Sequence, residues 1–223
     1  MRIITISRQF GSGGRELGKR LADFLGWDYY DKEIIDTLAQ DQGLDADYVR
    51  RTLSEHGWHD VQLTYRNSFS HLGFDHGVRT RLLVREREII REIAEAGNDC
   101  IIVGRNADVI LEDYGPFRVE VCADEEARLA RCMAYEKKKP EAERLSEKEV
   151  LRNIRRIDRS RRRTREIVTG KKPGDASVFD LTVNAAGWEI KALTPAVAAF
   201  AGQWFAEQDR RNNQAEEQAA EKK

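Results

Sequence analysis

The sequence predicts an α/β fold, a parallel sheet covered on both faces by helices. Three observations carry that reading. Short β-rich runs at residues 2–7, 100–103 and 117–122 alternate with longer stretches whose apolar residues recur at helical spacing. The run Cys100-Ile101-Ile102-Val103 is apolar at every position, as a strand buried on both faces requires. The first run passes through a glycine-rich turn straight into a helix, the connection from which such layered folds are built.

The elements follow in order. A strand over 2–7 breaks into Arg8-Gln9-Phe10-Gly11-Ser12-Gly13-Gly14, and a helix runs over 15–25 with Gly26 just past its end. Residues 27–30 form a short strand ending at Asp31, and 32–40 read as a helix with Ile34, Ile35 and Leu38 on its apolar side. Residues 45–56 read as helical and 56–77 as irregular. A charged helix follows over 78–96, carrying Leu82, Leu83, Ile89, Ile90 and Ile93, and Gly97-Asn98 stops it. After the strand at 100–103 comes Gly104-Arg105-Asn106, then the strand at 117–122. Asp124 caps a helix to about Lys138. Ser146-Glu147-Lys148-Glu149 has the form of a capping box and starts a strongly basic helix. A last strand over 178–184 and a closing helix over 188–205 complete one domain, residues 1–207. From Gln208 the chain is nearly all polar or alanine, which predicts a disordered tail over 208–223.

Composition narrows the function classes. The 223 residues hold 38 Lys+Arg against 39 Asp+Glu, a formal net charge of -1. That balance gives no general attraction for nucleic acid. Cys100, Cys122 and Cys132 are odd in number and lack metal-ligand spacing, the usage of a reducing compartment. No apolar run approaches the roughly 20 residues of a membrane span. The first strand begins at residue 2, which leaves no room for a signal peptide. The expectation is a cytoplasmic protein without membrane or nucleic-acid partners.

Positive charge is instead local. Strand, glycine turn and helix N-terminus in direct succession form a phosphate cradle: glycines let the backbone approach an anion, and the first helical N–H groups point at it. Gly11, Ser12, Gly13, Gly14, Arg15 and Glu16 are the candidate phosphate-binding residues. The strict pattern is Gly-x-x-x-x-Gly-Lys-Ser/Thr. In one register Gly14 stands in the lysine place and Arg8 in that of the leading glycine; in the other, Arg15 replaces the lysine, Gln9 the leading glycine and Glu16 the Ser/Thr. Arg15 is the first choice for the missing cation, with Arg8 and Lys19 in reserve; Lys19 also reads as a solvated helix face. Ligands of such sheets bind beyond the carboxyl ends of the strands, a rule that gathers the glycine loop, Asp31, Gly104-Arg105-Asn106 and the residues after Cys122 at one edge.

Ile3-Thr5-Ile6 with Gly11-Ser12-Gly13-Gly14-Arg15-Glu16-Leu17-Gly18, then Tyr29-Tyr30-Asp31-Lys32-Glu33, resembles the cytidylate kinase-like family of P-loop phosphotransferases. Val103-Gly104-Arg105-Asn106, Ile157-Asp158-Arg159-Ser160-Arg161-Arg162-Arg163, Thr169-Gly170-Lys171-Lys172 and Asp180-Leu181-Thr182-Val183-Asn184 also resemble that branch in order and spacing. The resemblance, over roughly residues 2–200, implies a three-layer P-loop kinase fold with a central parallel five-stranded sheet and a helical lid at about 139–175. It implies transfer of the ATP γ-phosphoryl group to a nucleoside monophosphate, CMP or dCMP first, with Mg2+. Arg105 would clamp the acceptor phosphate, Asp31 would stand near the acceptor, and Asp158, Arg161 and Arg162 would belong to the lid.

Several readings stay open. Asp31 also suits the N-cap of the helix over 32–40. The basic run over 152–165 also suits a charged helix that pairs with the acidic helices or binds RNA. The segment at about 45–78 reads as an acceptor-binding insertion whose Tyr65, Phe69 and Phe74 stack a base or serve as core. His56, His59, His71 and His76 lack the partners of a zinc site. Val103 stands where the family has an aspartate, and neither loop register supplies a Ser/Thr. The Mg2+ ligands therefore stay unassigned. A kinase for another small acceptor and a nucleotide-binding protein without turnover remain the alternatives.

Overall fold

The computed structural model describes residues 1–31, 76–169 and 176–221, with side chains described over 1–31, 84–169 and 176–218. Five strands form one sheet: β1 (Ile3–Arg8), β2 (Asp28–Tyr30), β3 (Cys100–Val103), β4 (Phe117–Cys122) and β5 (Leu181–Asn184). Their order is β2-β3-β1-β4-β5, and every pairing is parallel. β1 lies at the centre, paired Ile3 to Cys100 on one side and Ile4 to Phe117 on the other.

Helices cover both faces. On one face α1 (Gly14–Leu25) and α6 (Ile190–Glu221) close a core of Ile4, Ile6, Leu17, Leu21, Ile101, Val103, Phe117, Val119, Val197 and Phe205. On the other, α2 (His76–Glu95) and the short α3 (Ala107–Ile110) bury Ile3, Tyr30, Ile89, Ile90, Ile93, Ile102 and Leu111. Gly18 explains the close seat of α1: a Cβ there would lie 2.5 Å from Val103 Cγ2. Val103 is thus spent on the α1 interface, where the resemblance expects an aspartate.

A third, smaller core lies under α4 (Glu125–Glu136) and α5 (Glu147–Thr169), where Cys132, Val150 and Ile154 enclose Phe10. α5 falls within the segment, about 139–175, that the resemblance implies as a lid. Its start has the expected capping box, with Ser146 N donating to Glu149 at 2.9 Å. Asp124 caps α4 by accepting from Ala127 N at 2.7 Å. Gly26, in the left-handed conformation, ends α1.

Two boundaries differ from the sequence reading. β5 begins at Leu181, after a 3-10 turn over Ala176–Val178. Asp180 sets that start: its N–H donates to Arg118 O at 2.8 Å, and its carboxylate accepts from Arg118 N at 2.8 Å. The expected disordered tail is corrected more strongly, since α6 continues through residues 208–221. Alanine, glutamate, glutamine and arginine are strong helix formers, and Glu207 accepts from Arg210 and Arg211 one turn on. Low hydrophobicity shows only that this stretch has nothing to bury. The helices expected over 32–40 and 45–56, the insertion at about 45–78 with its aromatics, and three of the four histidines fall wholly or mainly outside the described residues.

Candidate functional site

The glycine loop joins β1 to α1 at the carboxyl edge of the sheet. Gly11 and Gly13 hold φ of 79° and 91°, values that L side chains rarely adopt. Neither has room for a side chain: a Cβ on Gly11 would lie 2.9 Å from Cys132 Sγ, and one on Gly13 2.4 Å from Ile190 Cδ1. The loop's carbonyls are tied down in turn. Gln9 O accepts from Ser12 Oγ at 2.9 Å, Gly11 O from Arg131 at 3.0 Å, and Phe10 O from Arg128 at 3.4 Å. Gly13 caps α1 with no side-chain hydrogen bond, so the first turn of the helix presents backbone donors beside the loop. Turning carbonyls outward while donors face one hollow is what an anion cradle requires.

Arg15 and Asp31 are brought together. Arg15 Nε donates to Asp31 Oδ2 at 2.6 Å, and Asp31 is fully buried. Tyr29 Oη donates to the same oxygen at 3.3 Å. Burial and the Asp31 charge push the Tyr29 phenol above its ordinary range, so it stays a donor. The N-cap alternative for Asp31 concerns a helix outside the described residues. Glu16 pairs with Arg20 at 2.8 Å, one turn along α1.

Across the edge, Gly104, Arg105 and Asn106 hold φ of 86°, 60° and 54°. Two successive non-glycine residues in the left-handed region store backbone strain, which folds keep where a side chain must be aimed. Arg105 is aimed at Glu86 of α2, the two side chains being 15% and 8% exposed. Glu86 was not singled out from the sequence, yet the signal is there: it falls at helical spacing within the apolar stripe of Leu82, Leu83, Ile89, Ile90 and Ile93.

The lid residues separate. Asp158 is buried and fully occupied: Oδ1 accepts from Phe10 N at 2.8 Å, and Oδ2 accepts from Arg128. It fastens α5 to the start of the glycine loop. Arg161 reaches the site, donating to Arg8 O at 3.1 Å with its guanidinium over the Phe10 ring. Arg162 is exposed on α5. Arg165 grips buried Asp108 through both carboxylate oxygens, at 3.0 and 2.6 Å. Asp108 and Arg128 were also not singled out; nothing in their local sequence marks them, because their partners lie 57 and 30 residues away.

Glu120 of β4 faces this cluster. Burial pushes its carboxyl up to about 7, with Arg165 opposing and Asp108 adding to the rise. Among the described residues no three His, Cys, Asp or Glu side chains are grouped to hold a metal ion. Asp31 is given to Arg15, Glu16 to Arg20 and Val103 to the core. The described residues therefore fit nucleotide phosphates and do not themselves assemble a Mg2+ site. No described helix is long and apolar enough to cross a membrane.

Comparisons with known proteins agree with this geometry. A model of the cytidylate kinase-like family matches residues 3–186. An uncharacterised protein from Eubacterium ventriosum has a similar structure, with TM-score 0.66 and 22% identity over 91% of this chain and 99% of that one. A shikimate kinase from Bacteroides thetaiotaomicron superposes with TM-score 0.50 and 15% identity, over 89% of this chain and 97% of its own. A gluconokinase from Sinorhizobium meliloti gives TM-score 0.50 and 11% identity, over 94% and 97%. No curated protein matches the chain significantly. The fold is that of the P-loop kinases.

Proposed function

The chain belongs to the cytidylate kinase-like family, and from that premise we propose that it is an ATP-dependent phosphotransferase of the nucleoside monophosphate kinase type, with CMP or dCMP as acceptor. The observation that carries the reading is the glycine loop of residues 11–16. Its carbonyls are tied outward, and arginines from three other elements converge beside it: Arg8 of β1, Arg105 after β3 and Arg161 of α5.

Phosphoryl transfer asks a protein for positioning and for charge neutralisation, and for little covalent chemistry. Backbone donors of the loop hold the phosphates of the nucleotide. Arg105 clamps the acceptor, kept in place by Glu86; a guanidinium fork matches phosphate oxygens. Arg161, with Arg162 behind it on α5, faces the transferred group. Asp31 stands beside the acceptor, held in place by its ion pair with Arg15. Asp158 acts through others by fixing Phe10 and hence the loop. When bound with the nucleotide, Mg2+ would supply charge neutralisation on the phosphates.

A same-fold kinase for another small acceptor is the second reading, favoured by the likeness to shikimate kinase and gluconokinase structures. A product assay separates the readings. Purified protein receives ATP and Mg2+ with CMP, dCMP, UMP, AMP, GMP or shikimate singly, and products are resolved by chromatography. A diphosphate from CMP or dCMP supports the proposal; product from another acceptor replaces it with the second reading. ATP binding without any product would make the chain a nucleotide-binding protein without turnover. Arg105→Ala should lower turnover by about 10²–10³-fold, as loss of a transition-state donor does, while circular dichroism shows the fold retained.

A further inference from the structure

Arg8 is a cation of this site that, among the described residues, pairs directly with no carboxylate. It ends β1, directly before the glycine loop, and its side chain crosses from that loop to the turn after β3. A Cβ on Gly14 would lie 2.7 Å from Arg8 Cβ, and one on Gly104 only 1.6 Å from Arg8 Nη1. Two glycines, one on each wall, thus make the channel through which the side chain passes. The guanidinium ends over Gly104, next to Arg105.

Its electrostatic surroundings are mixed, with Glu120 of β4 also near it. Arg161 and Arg105 are close enough to repel it, and Tyr29 and Asp31 act from the other side. Asp31 gives its near oxygen to Arg15 at 2.6 Å. Among the described residues, no carboxylate forms an ion pair or hydrogen bond with the Arg8 side chain. Four neighbouring arginines are each anchored on a carboxylate: Arg15 to Asp31, Arg105 to Glu86, Arg128 to Asp158, Arg165 to Asp108. Burial and the two neighbouring arginines push Arg8 down to about 9, so it is strained yet still charged at neutral pH. An enclosed charge without a directly paired counter-ion is costly, and such cost is retained where a ligand removes it.

Resting on the proposed phosphotransferase reading, we infer that Arg8, and not Arg15, takes the place of the missing loop lysine and binds the terminal phosphates of the nucleotide. The ligand class is a polyphosphate anion seated between the glycine loop and the Gly104 turn. Arg15 is left to orient Asp31.

The test measures binding of inorganic tripolyphosphate and of ATP by calorimetry, with thermal melts of each apo protein. The proteins are wild type, Arg8→Met, Arg8→Lys and Arg15→Met. Arg8→Met keeps the stem that packs on Gly14 and removes the charge. It should bind both probes about tenfold or more weakly, the scale of a charge-assisted contact, while its apo form melts at or above the wild-type temperature. Arg8→Lys should fall between the two, having charge without the fork. Arg15→Met should lose less tripolyphosphate affinity than Arg8→Met. Unchanged binding by Arg8→Met, or a larger loss in Arg15→Met, overturns the inference. So does a markedly lower apo melting temperature in Arg8→Met, which would make Arg8 a structural residue. If the wild type binds neither probe, the phosphotransferase reading itself falls.

Discussion

Between Gln9 and Glu16 the chain is shaped by its backbone, and its partners lie mostly on adjoining elements. Along α5 the chain is placed by side chains that reach groups far away in sequence: Asp158 accepts from the Phe10 N–H, Arg161 donates to the Arg8 carbonyl, and Arg165 pairs with the Asp108 carboxylate. The two regions meet at one edge of the sheet. In the loop, glycines decide the geometry and the side chains are few. In the helix, the geometry is ordinary and the ion pairs decide where it sits. The loop therefore resists any added atom, whereas α5 tolerates change outside its anchors and its buried Val150 and Ile154.

The largest effect should come from the deepest anchor. Asp158→Ala leaves the Arg128 charge buried without its partner and the Phe10 N–H without its acceptor. Removing one member of such a pair costs about 3–5 kcal/mol, read as a fall in the urea midpoint. Asp158→Asn, which keeps an acceptor for Phe10, should lose less. Wild-type stability with abolished turnover in Asp158→Ala would return this residue to the substrate and erase the contrast between the regions.

The loop side breaks in a different way. Gly13→Ala must hold φ near 91° and push aside Ile190, whose Cδ1 would be 2.4 Å from the new Cβ. Overpacking and left-handed strain together put the cost at about 1–3 kcal/mol. The same melt should show tripolyphosphate stabilising the variant less than wild type. A neutral Gly13→Ala would mean that the loop can re-form without its glycine.

The same difference decides what the sequence reveals. The cradle was legible because strand, glycines and helix are contiguous, and Cys100 to Val103 was legible because each residue of a doubly covered strand must be apolar. Their causes lie within a few residues. Glu86 was half legible, as a charge inside an apolar stripe. Asp108 and Arg128 were not, since only the fold brings them to Arg165 and Asp158. The Arg15–Asp31 pair had the same origin: sequence places Arg15 at the helix start, and only the structure shows Asp31 holding it. The helical course of 208–221 was missed because burial was used as the criterion where local propensity decides.

A titration sharpens the comparison where the two regions touch. Glu120 faces Arg165, Asp108, Arg8 and Arg161, and its carboxyl lies at about 7 against an ordinary 4.5. Between those values the unfolded chain has released the proton and the folded chain retains it. Stability contributed by Glu120 is thus complete below pH 4.5 and declines as pH rises through about 7, by about 3 kcal/mol at most in order of magnitude. Glu120→Gln should flatten that segment of the stability–pH curve. An unchanged slope would show that arginines of α5 already hold Glu120 ionised, and that the lid sits closer to β4 than its anchors alone require.

The smallest effect belongs to the same helix. Arg155 reaches Glu125 through two nitrogens, at 2.8 and 2.6 Å, a geometry no worse than that of Arg165 on Asp108. Both Arg155 and Glu125 are exposed, however, at 58% and 41%, and water and salt already solvate each charge. Arg155→Ala should leave the urea midpoint within error of wild type at moderate ionic strength, whereas Arg165→Ala, which strands a buried Asp108, should lower it clearly. If the two variants fell together, enclosure would not be what distinguishes an anchor on α5. The helix would then be held by its summed charge rather than by the pairs that bury a carboxylate.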